Sequence, residues 1–227
     1  MFISLQMEEV DGMRILILGV EGKLGRLVTD RVLKERQDQL VLFAGNRTTH
    51  LCISDPERQQ IIDGDFEDEA ALSEAMHQVD SVYLEDMSSP VAVDRVITAM
   101  KKTGVERIIG TTNLGVRDEL IERFGFSYGQ MIGSTSIDRQ SVSAQLIEDS
   151  GLCYTLLRLT WLYSQAGNER YRVSPIGEPV TGDRVTYEAV ARLVVDILAD
   201  PSSFAHQNLG VSEPHSDWHT SMATISE

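Results

Sequence analysis

A chain of 227 residues is long enough to bury a substantial core, and α/β proteins of this length commonly form one domain, so a single domain over residues 1–227 is the starting expectation. Its 42% apolar and 24% charged residues are ordinary for a globular protein, and no apolar run approaches the roughly 18 residues that a membrane span needs. The net charge of -15 repels nucleic-acid phosphates, and no basic run with interleaved aromatics offsets it, so direct DNA or RNA binding is disfavoured.

Residues 1–12 carry Glu8, Glu9 and Asp11 and no basic residue, unlike a secretory signal, so a cytoplasmic location is expected. Cys52 and Cys153 match no C-x-x-C or zinc spacing, which points to two reduced thiols rather than a disulfide.

Short β-branched runs then alternate with longer amphipathic segments, the order expected of βαβ units on a parallel sheet. Residues 14–19 read as a buried strand. Residues 24–36 read as a helix with Leu24, Leu27, Val28, Val32 and Leu33 on one face. Strands are expected at 40–44 and 59–63, with a short helix at 68–77. A fourth strand spans 81–84, and Pro90 suits the first turn of a helix that runs to Thr103 and stops at Gly104. A fifth strand at 107–111, a helix at 136–149 and a sixth strand at 154–159 follow. Residues 160–227 read as a small, less regular cap on the substrate side. It holds a loop at 174–182, an amphipathic helix at 186–198 and a short strand at 208–211, and the tail 215–227 is expected to be mobile. The fold expectation is a doubly wound parallel sheet with helices on both faces and this small C-terminal cap.

Directly after the first strand comes Gly19-Val20-Glu21-Gly22-Lys23-Leu24-Gly25, a G-x-x-G-x-x-G turn entering the first helix. Glycines there permit a tight turn and close backbone approach to a pyrophosphate, while the free N–H groups and dipole of the helix attract an anion. About 20 positions beyond such a turn an NAD site commonly carries an acid for the ribose 2′-hydroxyl. Here the segment is Ala44-Gly45-Asn46-Arg47, with no acid. Either Arg47 pairs with the 2′-phosphate of NADP, with Lys23 adding charge, or Arg47 is a solvated loop cation. NADP is therefore preferred and NAD remains open.

Taken with Gly64-Asp65-Phe66-Glu67-Asp68, Gly104-Val105-Glu106-Arg107-Ile108-Ile109 and Ser150-Gly151-Leu152-Cys153-Tyr154-Thr155-Leu156-Leu157-Arg158, these pieces make the chain resemble the atypical short-chain dehydrogenase/reductase family, in particular its NmrA-like and NAD(P)H-binding members. The likeness covers roughly residues 13–211, although Cys153 replaces the usual acid. It implies a Rossmann fold and a dinucleotide held by Gly19, Gly22, Lys23, Leu24, Gly25, Asn46 and Arg47, with Asp65 and Phe66 beside the adenine. Reductases of this family typically use a tyrosine and a lysine four residues later, because an adjacent cation favours the phenolate of a group whose ordinary pKa is about 10. At those positions this chain has Ser136 and Gln140, and Tyr83, Tyr128, Tyr154 and Tyr163 have no lysine at that spacing. The family's substrate-binding hydroxyl would be Thr111 or Thr112, unless both are ordinary strand-end hydrogen-bond formers.

Other clusters read more plainly. His215 and His219, with Asp217 between them, have a spacing found in metal sites but show no third and fourth ligands, so no metal site is expected. Ser134, Thr135, Ser136 and Asp138 look like a helix start rather than a nucleophile site. Arg158, on an apolar strand, reads as a paired structural arginine, and Trp161 and Tyr163 either line a substrate cavity or pack in the core. The expected activity is NADP-dependent reduction of a small carbonyl, quinone or flavin-like acceptor, with water or Tyr128 supplying a proton. The alternative is a non-catalytic dinucleotide-binding sensor or regulator of a protein partner. A nucleotide-sugar epimerase fits less well, since it also relies on the missing dyad.

Overall fold

The structure is a computed structural model that describes residues 12–45, 51, 53–116 and 134–216. Among these residues the elements run in the order β1 (Arg14–Leu18), α1 (Lys23–Glu35), β2 (Gln39–Ala44), β3 (Gln59–Asp63), α2 (Glu69–Ala75), β4 (Ser81–Leu84), α3 (Pro90–Thr103), β5 (Arg107–Asn113), α4 (Ser134–Asp149), β6 (Cys153–Leu159), β7 (Trp161–Tyr163), β8 (Arg172–Pro175), β9 (Arg184–Thr186), α5 (Tyr187–Ala199) and β10 (Gln207–Ser212). Eight of the strands form one sheet, ordered β3-β2-β1-β4-β5-β6-β10-β8.

All pairings in that sheet are parallel except β10 with β8. A strand covered on both faces reads as a continuous apolar run, which is why Ile15, Leu16, Ile17 and Leu18 are all fully buried. Ile15 and Ile17 join the core under α1 and α5 with Val28, Val32, Val190 and Leu193. Leu16 and Leu18 join the opposite core under α2, α3 and α4 with Val96, Met100 and Ile147. The two-residue alternation of a strand thus divides one sequence between two cores.

Strand order reverses at β1, whose neighbours are β2 and β4. The crevice at the carboxyl ends of β1 and β4 is the place where this architecture takes ligands. Gly104, at φ +77°, ends α3 in the left-handed conformation that glycine adopts without steric cost, as its position in the sequence suggests.

The larger differences from the sequence reading lie toward the C-terminus. Residues 172–175, partly placed in a loop, form the edge strand β8, where Pro175 is tolerated because an edge leaves N–H positions unpaired. β10 runs two residues longer than expected and lies between β6 and β8, so this part of the expected cap extends the main sheet. β7 and β9, each of three residues, form a separate parallel pair. Asp68 and Thr186 are N-caps rather than helical residues. Asp68 accepts from the N–H groups of Ala70 and Ala71, and Thr186 from that of Ala189. Residues 217–227 lie outside the described residues.

Candidate functional site

The glycine turn carries the local geometry that its sequence demands. Gly19 has φ +103°, a conformation that side chains disfavour, and its carbonyl accepts the N–H of Gly22 at 2.9 Å. A Cβ on Gly25 would lie 2.4 Å from the Gly19 carbonyl oxygen, so only glycine lets α1 approach the turn this closely. Gly22 is the N-cap of α1 but offers no side chain to its free N–H groups.

A residue from another strand does that work. Glu85, the first residue after β4, places its carboxylate over the turn and accepts the N–H of Leu24 at 3.2 Å and of Gly25 at 3.0 Å. The Glu85 N–H bonds the Leu18 carbonyl at 2.9 Å, continuing the β1–β4 pairing that brings the two elements together. A Cβ on Gly22 would lie 2.2 Å and 2.3 Å from the two carboxylate oxygens. The seat therefore fits an anion closely, and a carboxylate fills it. Burial raises the Glu85 pKa above the ordinary carboxylate range. The N–H groups of Gly25 and Leu24 oppose the rise, Asp86 adds to it and Arg26 opposes it. Burial, with the Glu85 charge adding to it, also holds the fully buried Tyr83 phenol well above its usual range.

The other expected cofactor residues are spread along the same sheet edge. Leu24 buries its side chain in the core and offers only its N–H to the seat. The Lys23 ammonium turns toward the C-terminal segment, bonding the Ser164 hydroxyl and lying 4.4 Å from the centre of the Tyr187 ring. Asp65, beyond β3, accepts the N–H groups of Glu67 at 2.7 Å and Asp68 at 3.1 Å, so it closes its own turn. Phe66 packs edge-on against Phe43 with ring centres 6.0 Å apart. Asn46, Arg47 and Tyr128 lie outside the described residues. Near the turn, Val20, Arg26, Thr29, Asp30, Leu42, Leu51 and Gln59 line a depression of about 230 Å³.

Thr111 and Thr112 differ sharply. The Thr111 hydroxyl donates to the Glu85 carbonyl at 2.5 Å, which is the strand-end role. The Thr112 hydroxyl is buried with no hydrogen-bond partner among the described residues, as is that of Ser143 in α4. Where the resemblance calls for a lysine, Gln140 is buried and accepts the Asn113 N–H at 2.7 Å, fastening α4 to the end of β5. Ser136 is half-buried. Arg158 is fully buried and donates to the carbonyl of Asn208 at 2.6 Å and to its side-chain oxygen at 2.7 Å, the structural role. Tyr163 donates to Glu213 at 2.5 Å, and Trp161 is exposed. Among the described residues no group of acids, histidines and cysteines could hold a metal, and no helix is long and apolar enough to cross a membrane.

Comparison with known proteins agrees with this geometry. A family model described as NAD(P)H-binding matches residues 19–201. A short-chain dehydrogenase/reductase from Veillonella parvula, solved in complex with NADP, is 26% identical with a TM-score of 0.83, over 91% of this chain and 97% of that one. A Rossmann-fold NAD(P)-binding family protein from Shigella flexneri is 30% identical with a TM-score of 0.75, over 90% of this chain and 95% of that one. An anaerobillin reductase from Escherichia coli, 20% identical with a TM-score of 0.75 over 89% of this chain and 98% of that one, shares the fold. No curated protein matches the sequence.

Proposed function

The chain belongs to the NAD(P)H-binding family of Rossmann-fold proteins, and from that premise we propose that it is an NADP-dependent oxidoreductase that reduces a small carbonyl, quinone or flavin-like acceptor. The observation that carries the reading is the glycine turn whose Leu24 and Gly25 N–H groups converge on one anion seat at the start of α1. The diphosphate of a dinucleotide suits that seat, and the Veillonella parvula relative supports NADP as the ligand. Arg26, which lines the depression beside Val20, would add positive charge beside the cofactor, and Arg47 is the sequence candidate for the 2′-phosphate.

When bound, the nicotinamide supplies a hydride. The residues of this chain would position and bind. The N–H groups of α1 hold the diphosphate, and the sheet edge orients the two reactants so that proximity does most of the catalytic work. Of the two threonines, Thr112 is the better candidate to hold the acceptor oxygen, because its hydroxyl has no partner among the described residues while that of Thr111 is engaged. Tyr128 or water would supply the proton.

The test is NADPH oxidation against a panel of carbonyl, quinone and flavin acceptors, with calorimetric titration of NADP run in parallel. Turnover that Thr112→Val reduces at least about tenfold, with NADP affinity unchanged, supports this assignment. Cofactor binding without turnover of any acceptor favours the second reading, a dinucleotide-dependent sensor or regulator of a protein partner. A specific observation motivates that alternative: Gln140, at the lysine position of the dyad, is committed to the Asn113 N–H.

A further inference from the structure

We propose that Glu85 is an internal competitor for the diphosphate of the dinucleotide: its carboxylate holds the anion seat of α1 in the free protein and must leave that seat, or take up a proton, before a dinucleotide binds. This rests on the cofactor reading above and adds to it the residue that sets how tightly, and at which pH, the cofactor is accepted.

The seat has room for one anion. The N–H groups of Leu24 and Gly25 both point at the same carboxylate, and the space above Gly22 is filled by its two oxygens. A diphosphate brought to those N–H groups would meet a like charge at contact distance, an arrangement that strongly disfavours having both ionised in one site. The alternatives are that the carboxylate moves away or that it becomes neutral.

Departure needs only side-chain rotation. The Glu85 main chain is pinned on both sides, its N–H to the Leu18 carbonyl and its own carbonyl to the Thr111 hydroxyl. Among the described residues the carboxylate has no such anchor beyond the two N–H groups. An incoming diphosphate can replace those two hydrogen bonds one for one, while the released carboxylate regains its hydration. The exchange is close to balanced, which is the condition for a competitor that tunes affinity without abolishing binding.

The charged and titratable groups facing Glu85 come from the β4 segment and from α1, and β5 adds a neutral hydroxyl. Asp86 follows it in the chain, Tyr83 lies beside it on β4, and Arg26 faces it from α1. The Thr111 hydroxyl comes from β5. Burial and Asp86 favour protonation and Arg26 opposes it, so the carboxyl is neutralised at milder acidity than an ordinary glutamate. Protonation weakens its hold on the seat and removes the repulsion. Dinucleotide affinity therefore rises as pH falls, by up to about tenfold per pH unit while one proton is taken up with the ligand.

The experiment is calorimetric titration of the full chain with NADP and with NAD from about pH 6 to about pH 8, on the unmodified protein and on Glu85→Gln and Glu85→Ala. NAD lacks the 2′-phosphate, whose own titration near pH 6 would otherwise overlap. At the alkaline end both variants should bind at least about tenfold more tightly than the unmodified protein, and their pH dependence should be flatter. Equal affinities with the same pH profile in all three proteins would overturn the competitor role and leave the cofactor reading intact. Weaker binding by the variants would overturn it too, making Glu85 a favourable contact. Absence of binding by all three would remove the cofactor reading and this proposal together.

Discussion

The carboxylate of Glu85 occupies the space where a side chain on Gly22 would begin: a Cβ built there lies 2.2 Å from one of its oxygens. Gly22 itself has φ -70° and ψ 163°, a conformation that alanine adopts freely, so Gly22→Ala tests the space and not the backbone. The added methyl should expel the carboxylate into water. The stability consequence depends on pH. Burial raises the pKa of Glu85 above its unfolded value, so the contribution of the group is fully present below the ordinary carboxylate pKa. It is lost as pH rises through the elevated value, with a slope of at most about 1.4 kcal/mol per pH unit. Urea unfolding at several pH values should show this loss in the unmodified protein and a smaller one in Gly22→Ala and Glu85→Gln. Identical pH profiles would mean that the carboxylate is not held in the seat.

Thr111 and Thr112 are adjacent on β5 and equally buried, yet they should respond oppositely to the same substitution. Thr111→Val removes the donor to the Glu85 carbonyl and should cost about 1–2 kcal/mol. Thr112→Val replaces a buried hydroxyl that has no partner among the described residues, and should be neutral or stabilising by up to about 1 kcal/mol. Denaturant midpoints of the two variants, compared at one pH, check this directly. A marked loss in Thr112→Val would show that its hydroxyl has a partner in the folded protein.

Much of the sheet was legible because strands buried on both faces announce themselves as apolar runs, as in residues 14–18 and 81–84. β7 and β9 were not, since three residues carry no period. The glycine turn was readable because its constraint is local: Gly25 must be small to pass the Gly19 carbonyl. Glu85 was missed for the opposite reason. Its role depends on which strand lies beside β1, and nothing within the segment around residue 85 states that. A usable signal existed nonetheless, an acid directly following a wholly buried strand in a fold whose fourth strand flanks the first. The Gly64–Asp68 segment shows the converse, since Asp65 closing a turn and Asp68 capping α2 account locally for two acids of a segment that the resemblance matches, of which it associates Asp65 with adenine.

Restoring the family dyad should damage this chain. Gln140 accepts the Asn113 N–H at 2.7 Å from a buried position, and lysine has no acceptor to offer. Ser136→Tyr combined with Gln140→Lys should therefore destabilise the protein by about 1–3 kcal/mol through an unpaired N–H, before any burial cost of the ammonium. Gln140→Glu, which keeps the acceptor, should cost less than Gln140→Leu. Thermal unfolding of the set decides the matter: if Gln140→Leu is as stable as the unmodified protein, the tether between α4 and β5 carries no weight.

Arg158 offers the largest expected loss. It is 1% exposed on a strand in the middle of the sheet, and its guanidinium reaches both oxygens of Asn208, whose amide in turn donates to Glu148 at 2.7 Å. Deleting one member of a buried charged network leaves the others desolvated without a partner, which costs about 3–5 kcal/mol. Arg158→Met keeps most of the volume and loses the charge, so it isolates that electrostatic cost from cavity formation. The chain joins β6, β10 and α4 at the start of β10, away from the glycine turn, so the surviving folded fraction should bind NADP with unaltered affinity. Equilibrium unfolding together with calorimetry separates the two effects. A loss of affinity beyond that explained by unfolded protein would show that Arg158 communicates with the cofactor seat, and a stability loss below about 1 kcal/mol would show that the network is not needed for packing.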